Sequence, residues 1–133
     1  MNPYWDSSAL IEAIQNLGVR RALRRDGGFT RPHTFTEVFS TLTGGRLGFR
    51  CAANEASKIT GELASDLKVV ELDRDETLAA LAAAQKHGVR GRQIHDFLHA
   101  IAARKAGAGV LYTLNLSDFQ SLRLAINIEP PRC

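Results

Sequence analysis

Residues 3–10 read Pro3-Tyr4-Trp5-Asp6-Ser7-Ser8-Ala9-Leu10, and the fold follows from how this stretch is read. Tyr4 and Trp5 suit an extended, half-buried backbone. Ser7 and Ser8 are helix N-cap types. Leu10, Ala13, Ile14 and Leu17 then recur at helical spacing, and Gly18 ends the run. A strand therefore stops at Asp6 and turns at once into a helix. In an open α/β sheet, ligands bind just beyond the carboxyl ends of the strands. Asp6 is expected there, at the mouth of the fold. The competing reading is that Asp6 only caps the helix beside it.

The rest of the chain repeats this alternation. Val19 to Gly28 is a short amphipathic helix closed by glycines, with Arg20, Arg21, Arg24 and Arg25 on one side. Such a face meets phosphate oxygens well; a solvated surface helix is the alternative. Phe29 to His33 is a second short strand, weakened by Pro32. Thr34-Phe35-Thr36-Glu37 opens a helix carrying Val38, Phe39 and Leu42, and Gly44-Gly45 stops it. Thr34 and Glu37 have capping-box spacing, which would make Glu37 a structural residue. Arg46 to Cys51 is a loop with two more arginines, Arg46 and Arg50. Ala52, Ala56, Ile59, Leu63 and Leu67 mark a helix loosened by Gly61. Lys68 to Leu72 is a strand, and Asp73 with Glu76 opens an alanine-rich helix that ends at His87-Gly88.

Arg92 to Gly107 is the most informative helix. Ile94, Phe97, Leu98 and Ile101 form one apolar stripe, while Asp96, Ala100, Ala103 and Gly107 share a different face of small residues. A solvated face is usually filled with lysine and glutamate. Small residues predict close approach of another element, with Asp96 held in or near the interior. That is costly unless something positive meets it. Gly109 to Thr113 is the next strand, Leu114 to Phe119 a polar turn or short helix, and Leu122 to Ile128 a last edge strand. Strands alternating with helical connections predict one α/β domain over residues 1–133, built on a mostly parallel sheet.

Composition narrows the possibilities. The chain of 133 residues is 44% apolar and 23% charged, ordinary values for a globular domain with a real core. No apolar run is long enough to span a bilayer, and the N-terminus lacks the order of a secretory signal. The two cysteines, Cys51 and Cys133, make no disulfide framework, so a reducing cytoplasm is expected. The net charge of +3 and pI near 9.2 are compatible with an anionic partner.

The acids form a set. Asp6 ends the first strand, Glu37 starts the helix after the second, Asp96 lies in the helix before the fourth, and Asp118 follows the fourth. Carboxylates gathered without a cation raise one another's pKa. Hard divalent ions such as Mg²⁺ or Mn²⁺ resolve that, and they can polarise a phosphoryl oxygen and activate water for in-line attack.

Four stretches carry a resemblance: Trp5-Asp6-Ser7-Ser8-Ala9-Leu10, Phe35-Thr36-Glu37-Val38, Ile94-His95-Asp96-Phe97-Leu98-His99-Ala100, and Thr113-Leu114-Asn115-Leu116-Ser117-Asp118-Phe119. In this order and spacing they resemble the PIN-domain family, in particular its small bacterial VapC-type toxins. The resemblance implies a three-layer α/β/α sandwich and a Mg²⁺- or Mn²⁺-dependent endoribonuclease, the toxin of a toxin–antitoxin pair. It also implies a homodimer and a cognate antitoxin that inhibits it. The family's first three acids fall on Asp6, Glu37 and Asp96, and its final motif on Thr113, Asn115 and Asp118. Many relatives have aspartate where this chain has Asn115, which can offer a neutral oxygen or position a ligand water. Asp6, Glu37, Asp96 and Asp118 are then expected to hold the ions, with Ser7, Thr113 and Asn115 orienting them or their waters from behind. Arg20, Arg21, Arg24, Arg25, Arg46 and Arg50 are candidates for contact with RNA or with the antitoxin.

Two alternatives compete. His95 and His99 flank Asp96 with the spacing of the zinc hydrolase motif H-E-x-x-H. The middle acid is one methylene short for a general base, however, and no third ligand follows at an obvious spacing. For the two histidines, an exposed or helix-packing pair is the plainer expectation. The other alternative is a non-catalytic module whose acids are caps and whose arginines meet RNA or a protein.

Overall fold

Short extended segments, each followed by one or two helices, build the sheet. The structure, a computed structural model, describes residues 2–133. Its strands are β1 (Pro3–Trp5), β2 (Phe29–Thr30), β3 (Lys68–Val69), β4 (Val110–Tyr112) and β5 (Asn127–Glu129). They form one sheet in the order β3-β2-β1-β4-β5, with every pairing parallel. The mostly parallel sheet expected from sequence is thus wholly parallel. Tyr4 pairs with Phe29 on one side and with Leu111 on the other.

The helices are α1 (Ser7–Gln15), α2 (Leu17–Asp26), α3 (Pro32–Gly44), α4 (Ala53–Ala64), α5 (Arg74–Ala83), α6 (Gln93–Ala106) and α7 (Leu116–Gln120). Alternation along β1 and β4 sends side chains to opposite faces. Trp5 and Tyr112 pack with Leu10, Leu23, Val38 and Leu63 from α1 to α4, and their rings meet edge-on at 4.9 Å. Tyr4 and Leu111 pack with Ala80, Phe97, Ala100, Ala103 and Phe119 from α5 to α7. The result is a sheet between two helical layers. The small-residue face of α6 is buried as expected, with Ala100 and Ala103 against the sheet. Gly28 is required where β2 begins, because its φ is +134° and a side chain there would run into the Pro3 carbonyl oxygen.

Several boundaries differ from the sequence reading for identifiable reasons. The first helix breaks at Asn16, whose side chain accepts the N–H groups of Gly18 and Val19 and so starts α2. Pro32 does not weaken a strand; it sits at the first turn of α3, where its missing N–H costs nothing. The helix thus begins two residues before Thr34, and the expected capping box of Thr34 and Glu37 does not form. The second capping box, Asp73 with Glu76, does form. The last strand is only Asn127–Glu129, because Leu122 is buried behind α7 and Arg123 turns the chain with a φ of 52°.

Candidate active site

Chain order and sheet order part company at β1. Its neighbour β2 follows next in sequence, while β4 on its other side returns after two further strands. Crossovers therefore leave on opposite faces, and a crevice opens beyond the carboxyl ends of β1 and β4. Asp6 sits there, 2% exposed. Its Oδ1 accepts the Ala9 N–H at 2.9 Å and the Ser8 hydroxyl at 2.7 Å. Asp6 thus caps α1 through one oxygen, and it follows directly on β1 at the carboxyl end of that strand. Burial raises its pKa, against the opposing pull of His99, Thr113, Ala9 and Ser8.

Ser8, rather than Ser7, is the serine behind this acid. The Ser8 hydroxyl also accepts the Leu114 N–H at 2.9 Å and lies 3.2 Å from the Thr113 hydroxyl. Thr113 is fully buried and accepts the Asn115 N–H at 2.9 Å. Ser8 and Thr113 thereby stitch the end of β1 to the turn after β4. Ser7 points elsewhere, into a cleft beside α3.

Glu37 lies more than a turn into α3 and reaches across to α6. Its Oε1 meets His99 Nε2 at 2.8 Å, and His99 Nδ1 meets the Tyr4 hydroxyl at 2.7 Å. An ionised carboxylate only accepts, so Nε2 carries the hydrogen. In the neutral ring Nδ1 then accepts from Tyr4. His99 is 2% exposed and Tyr4 fully buried. Burial works to raise the Glu37 pKa, but the His99 hydrogen bond and charge, with His33 and His95 nearby, hold it below the usual carboxylate range.

Asp96 sits in the first turn of α6, half-buried. Burial pushes its pKa up to about 6, and the charges of Asp6, Asp118 and Glu37 add to the shift while His99 opposes it. Asp6, Asp118 and Glu37 are thus the negative charges that bear on Asp96. Asp118 is exposed in the first turn of α7, and Asn115 precedes that helix with its side chain free of any cap bond. Among the described residues, no three His, Cys, Asp or Glu side chains stand close enough to share one metal ion.

The family match covers residues 4–123 and is to the PIN domain. The chain belongs to the PIN-domain family. Among solved structures, this PIN domain is similar to VapBC-1 from nontypeable Haemophilus influenzae, with a TM-score of 0.69 and 16% identity over 98% of each chain. It is similar also to PAE2754 from Pyrobaculum aerophilum, with a TM-score of 0.69 and 20% identity over 96% of this chain and 89% of that one. At such identities the likeness is one of fold. A search of the curated proteins found no match.

The arginines of the PIN domain do not gather at the acids. Arg20 pairs with Asp66 at 2.7 Å and joins α2 to the turn before β3, at the amino ends of the strands. Arg25 pairs with its neighbour Asp26. Arg21, Arg24 and Arg50 are exposed. Only Arg46, past the end of α3, lines the cleft that Glu37 borders. A larger cleft of about 590 Å³ lies at the opposite end of the sheet, beside Arg104, Gly109 and Asn127, and no acid lines it.

Three residues went unrecognised in the sequence. Ser8 was indistinguishable from Ser7 without knowing which one faced β4. His99 was expected as an exposed or helix-packing residue; it is buried and bonded at both ring nitrogens. Its position one turn after Asp96 was the available signal. Tyr4 reads from the sequence only as a strand residue. Both nitrogens of His99 are engaged, by Tyr4 and Glu37, so a zinc ion shared with His95 would have to displace one of these bonds.

Proposed function

We propose that this PIN domain is a metal-dependent endoribonuclease, the toxin of a cytoplasmic toxin–antitoxin pair. The observation that carries the reading is the placement of four acids toward the carboxyl ends of the strands: Asp6 after β1, Glu37 on α3 bonded to His99, Asp96 in the first turn of α6 and Asp118 in the first turn of α7. Such a set is costly for a fold to maintain unless a cation joins it. Family membership and the fold shared with VapBC-1 support the same reading.

The donor set fits a hard divalent ion. It offers carboxylate oxygens, two of them on acids whose pKa is raised, and no sulfur. Asp6, Glu37, Asp96 and Asp118 would hold Mg²⁺ or Mn²⁺. When bound, such an ion supplies charge stabilisation on a phosphodiester and an activated water for in-line attack.

The chain's own residues do the positioning. Ala9 and Ser8 fix one oxygen of Asp6 and so set the direction of the other. His99, itself fixed by Tyr4, prevents Glu37 from swinging into solvent. Thr113, through Ser8, keeps the β4 turn and its Asn115 against the same crevice. Asp96 holds a proton on its carboxyl group below about pH 6 and sheds it above.

An antitoxin and a homodimeric state belong to this reading. An arginine-bearing inhibitor suits the crevice, since the planar guanidinium fork pairs with carboxylates. The decisive experiment is RNA cleavage by the purified protein. Cleavage with Mg²⁺ or Mn²⁺, lost in EDTA and restored by excess metal, is the expected result. Undiminished cleavage in EDTA would remove the metal mechanism, and RNA held but never cut would favour a binding module.

A further inference from the structure

The cleft beside Glu37 has a composition that metal binding does not explain. It encloses about 390 Å³ and is bordered by Ser7, His33, Thr36, Ser40, Arg46 and His95. The volume falls in the range of small-ligand sites. His33 on α3 and His95 on α6 are both exposed, and their rings lie nearly parallel, 16° apart with centroids at 5.8 Å. The rings stack on one another and form an aromatic platform bridging the two helices that carry Glu37 and Asp96. The α3 side of the cleft carries His33, Thr36, Glu37 and Ser40, one helical face with no lysine and no apolar side chain. Among the described residues, Ser7, Thr36 and Ser40 make no side-chain hydrogen bond and Arg46 makes no ion pair.

Planar rings, free hydroxyls and one unpaired guanidinium match a nucleotide part by part. Unstacked bases of single-stranded RNA are held by stacking on aromatic or histidine rings and by hydrogen bonds to their edges. The backbone phosphate is met by arginine. A peptide would want apolar surface, which this cleft does not offer.

We propose that the cleft is a nucleotide subsite: one unpaired base of the RNA stacks on the His33–His95 platform, with its edge toward Thr36 and Ser40. Arg46 takes the adjoining phosphate. This rests on the nuclease reading and places one nucleotide of the substrate beside the carboxylates. It predicts that single-stranded RNA is the substrate form, because a base held in a duplex cannot reach the platform.

The test is fluorescence anisotropy with two labelled strands, a single-stranded RNA 12-mer of mixed sequence and an abasic 12-mer of the same phosphate backbone. Every protein carries Asp96→Asn so that the RNA survives, and circular dichroism confirms each fold. Replacing both histidines, His33→Ala with His95→Ala, should weaken RNA binding by about tenfold, the scale of one lost base stack, and leave the abasic strand unaffected. Arg46→Ala should weaken both strands alike and reduce the salt slope by about one. If the double histidine variant binds both strands as its background does, or loses both equally, the base platform is overturned. If the background protein holds neither strand while the parent still cuts RNA, the subsite falls and the nuclease reading stands. If the parent neither binds nor cuts RNA, both fall together.

Discussion

His99 on α6 and Glu37 on α3 meet through a 2.8 Å hydrogen bond that spans 62 positions of sequence. The contact locks two crossover helices together at the end of the sheet where the acids gather. It also gives Glu37 one orientation, because Tyr4 holds the far side of the ring at 2.7 Å.

Replacing His99 separates positioning from packing. His99→Leu fills much of the same volume but leaves the Tyr4 hydroxyl and the Glu37 carboxylate without their partner. We expect a loss of about 1–3 kcal/mol of stability, the general cost of a stranded buried polar group. Mn²⁺ affinity should fall roughly 10–100-fold, as it does when a ligand loses its orienting partner. His99→Gln keeps an N–H donor toward Glu37 and should recover part of the Mn²⁺ affinity. Thermal melts and titration calorimetry read the two effects. A leucine variant that binds Mn²⁺ as the parent does would end the positioning role.

Asp96 contributes to the pH dependence of the metal-free protein. Its pKa is near 6 in the fold against 3.8 ordinarily. Between those values the folded state keeps a proton that the unfolded chain has released. The stability this contributes is complete below about pH 4 and is lost as pH rises through about 6. Allowing for its partial exposure, the effect is about 1–2 kcal/mol. Glu37, with its lowered pKa, acts in the opposite sense as pH falls. Melts from pH 4 to 7.5 on the parent and on Asp96→Asn isolate the Asp96 share: the variant should lack that part of the decline. Parallel profiles would refute it.

The same substitution reverses sign with metal. Asparagine keeps the shape of Asp96 and removes one charge from the cluster. At pH 7.5 without metal, Asp96→Asn should equal the parent or exceed it by about 1 kcal/mol. With Mn²⁺ at a hundred times its dissociation constant, the parent should gain roughly 2.7 kcal/mol and the variant much less. An ordinary packed or capping residue would show neither pattern: its loss would destabilise, and both proteins would respond to metal alike.

These acids could be placed from sequence because each belongs to a local pattern. Asp6 ends an aromatic strand, and Asp96 shares a helix face with Ala100 and Ala103, so burial showed in the spacing. Glu37 was harder. Thr34 three residues before it suggests a cap, but Pro32 takes the first turn of α3 and so starts the helix ahead of Thr34. The partners of the acids were hidden for a different reason. Tyr4 meets His99 across 95 positions, His99 meets Glu37 across 62 and Ser8 meets Thr113 across 105, and no short-range period encodes such a contact. Strand ends read too long for a related reason: apolar residues such as Leu72 and Ile126 pack against the core beyond the strand ends.

The arginines divide by role. Arg20 is mostly buried in its pair with Asp66, so Arg20→Ala should lower stability by about 0.5–1 kcal/mol. Arg21→Ala and Arg24→Ala, both on solvent, should stay within about 0.5 kcal/mol. RNA cleavage at saturating substrate should survive all three changes. A larger loss of cleavage from Arg24→Ala than from Arg46→Ala would put the RNA path over α2 instead of the cleft.

The most direct measurement is single-turnover cleavage of single-stranded RNA in Mn²⁺ by the parent and by Asp96→Asn, with equal folding of both verified beforehand. The account predicts that the parent cuts and that the variant is slower by orders of magnitude while still binding the strand. A variant that cuts at the parent's rate would contradict it.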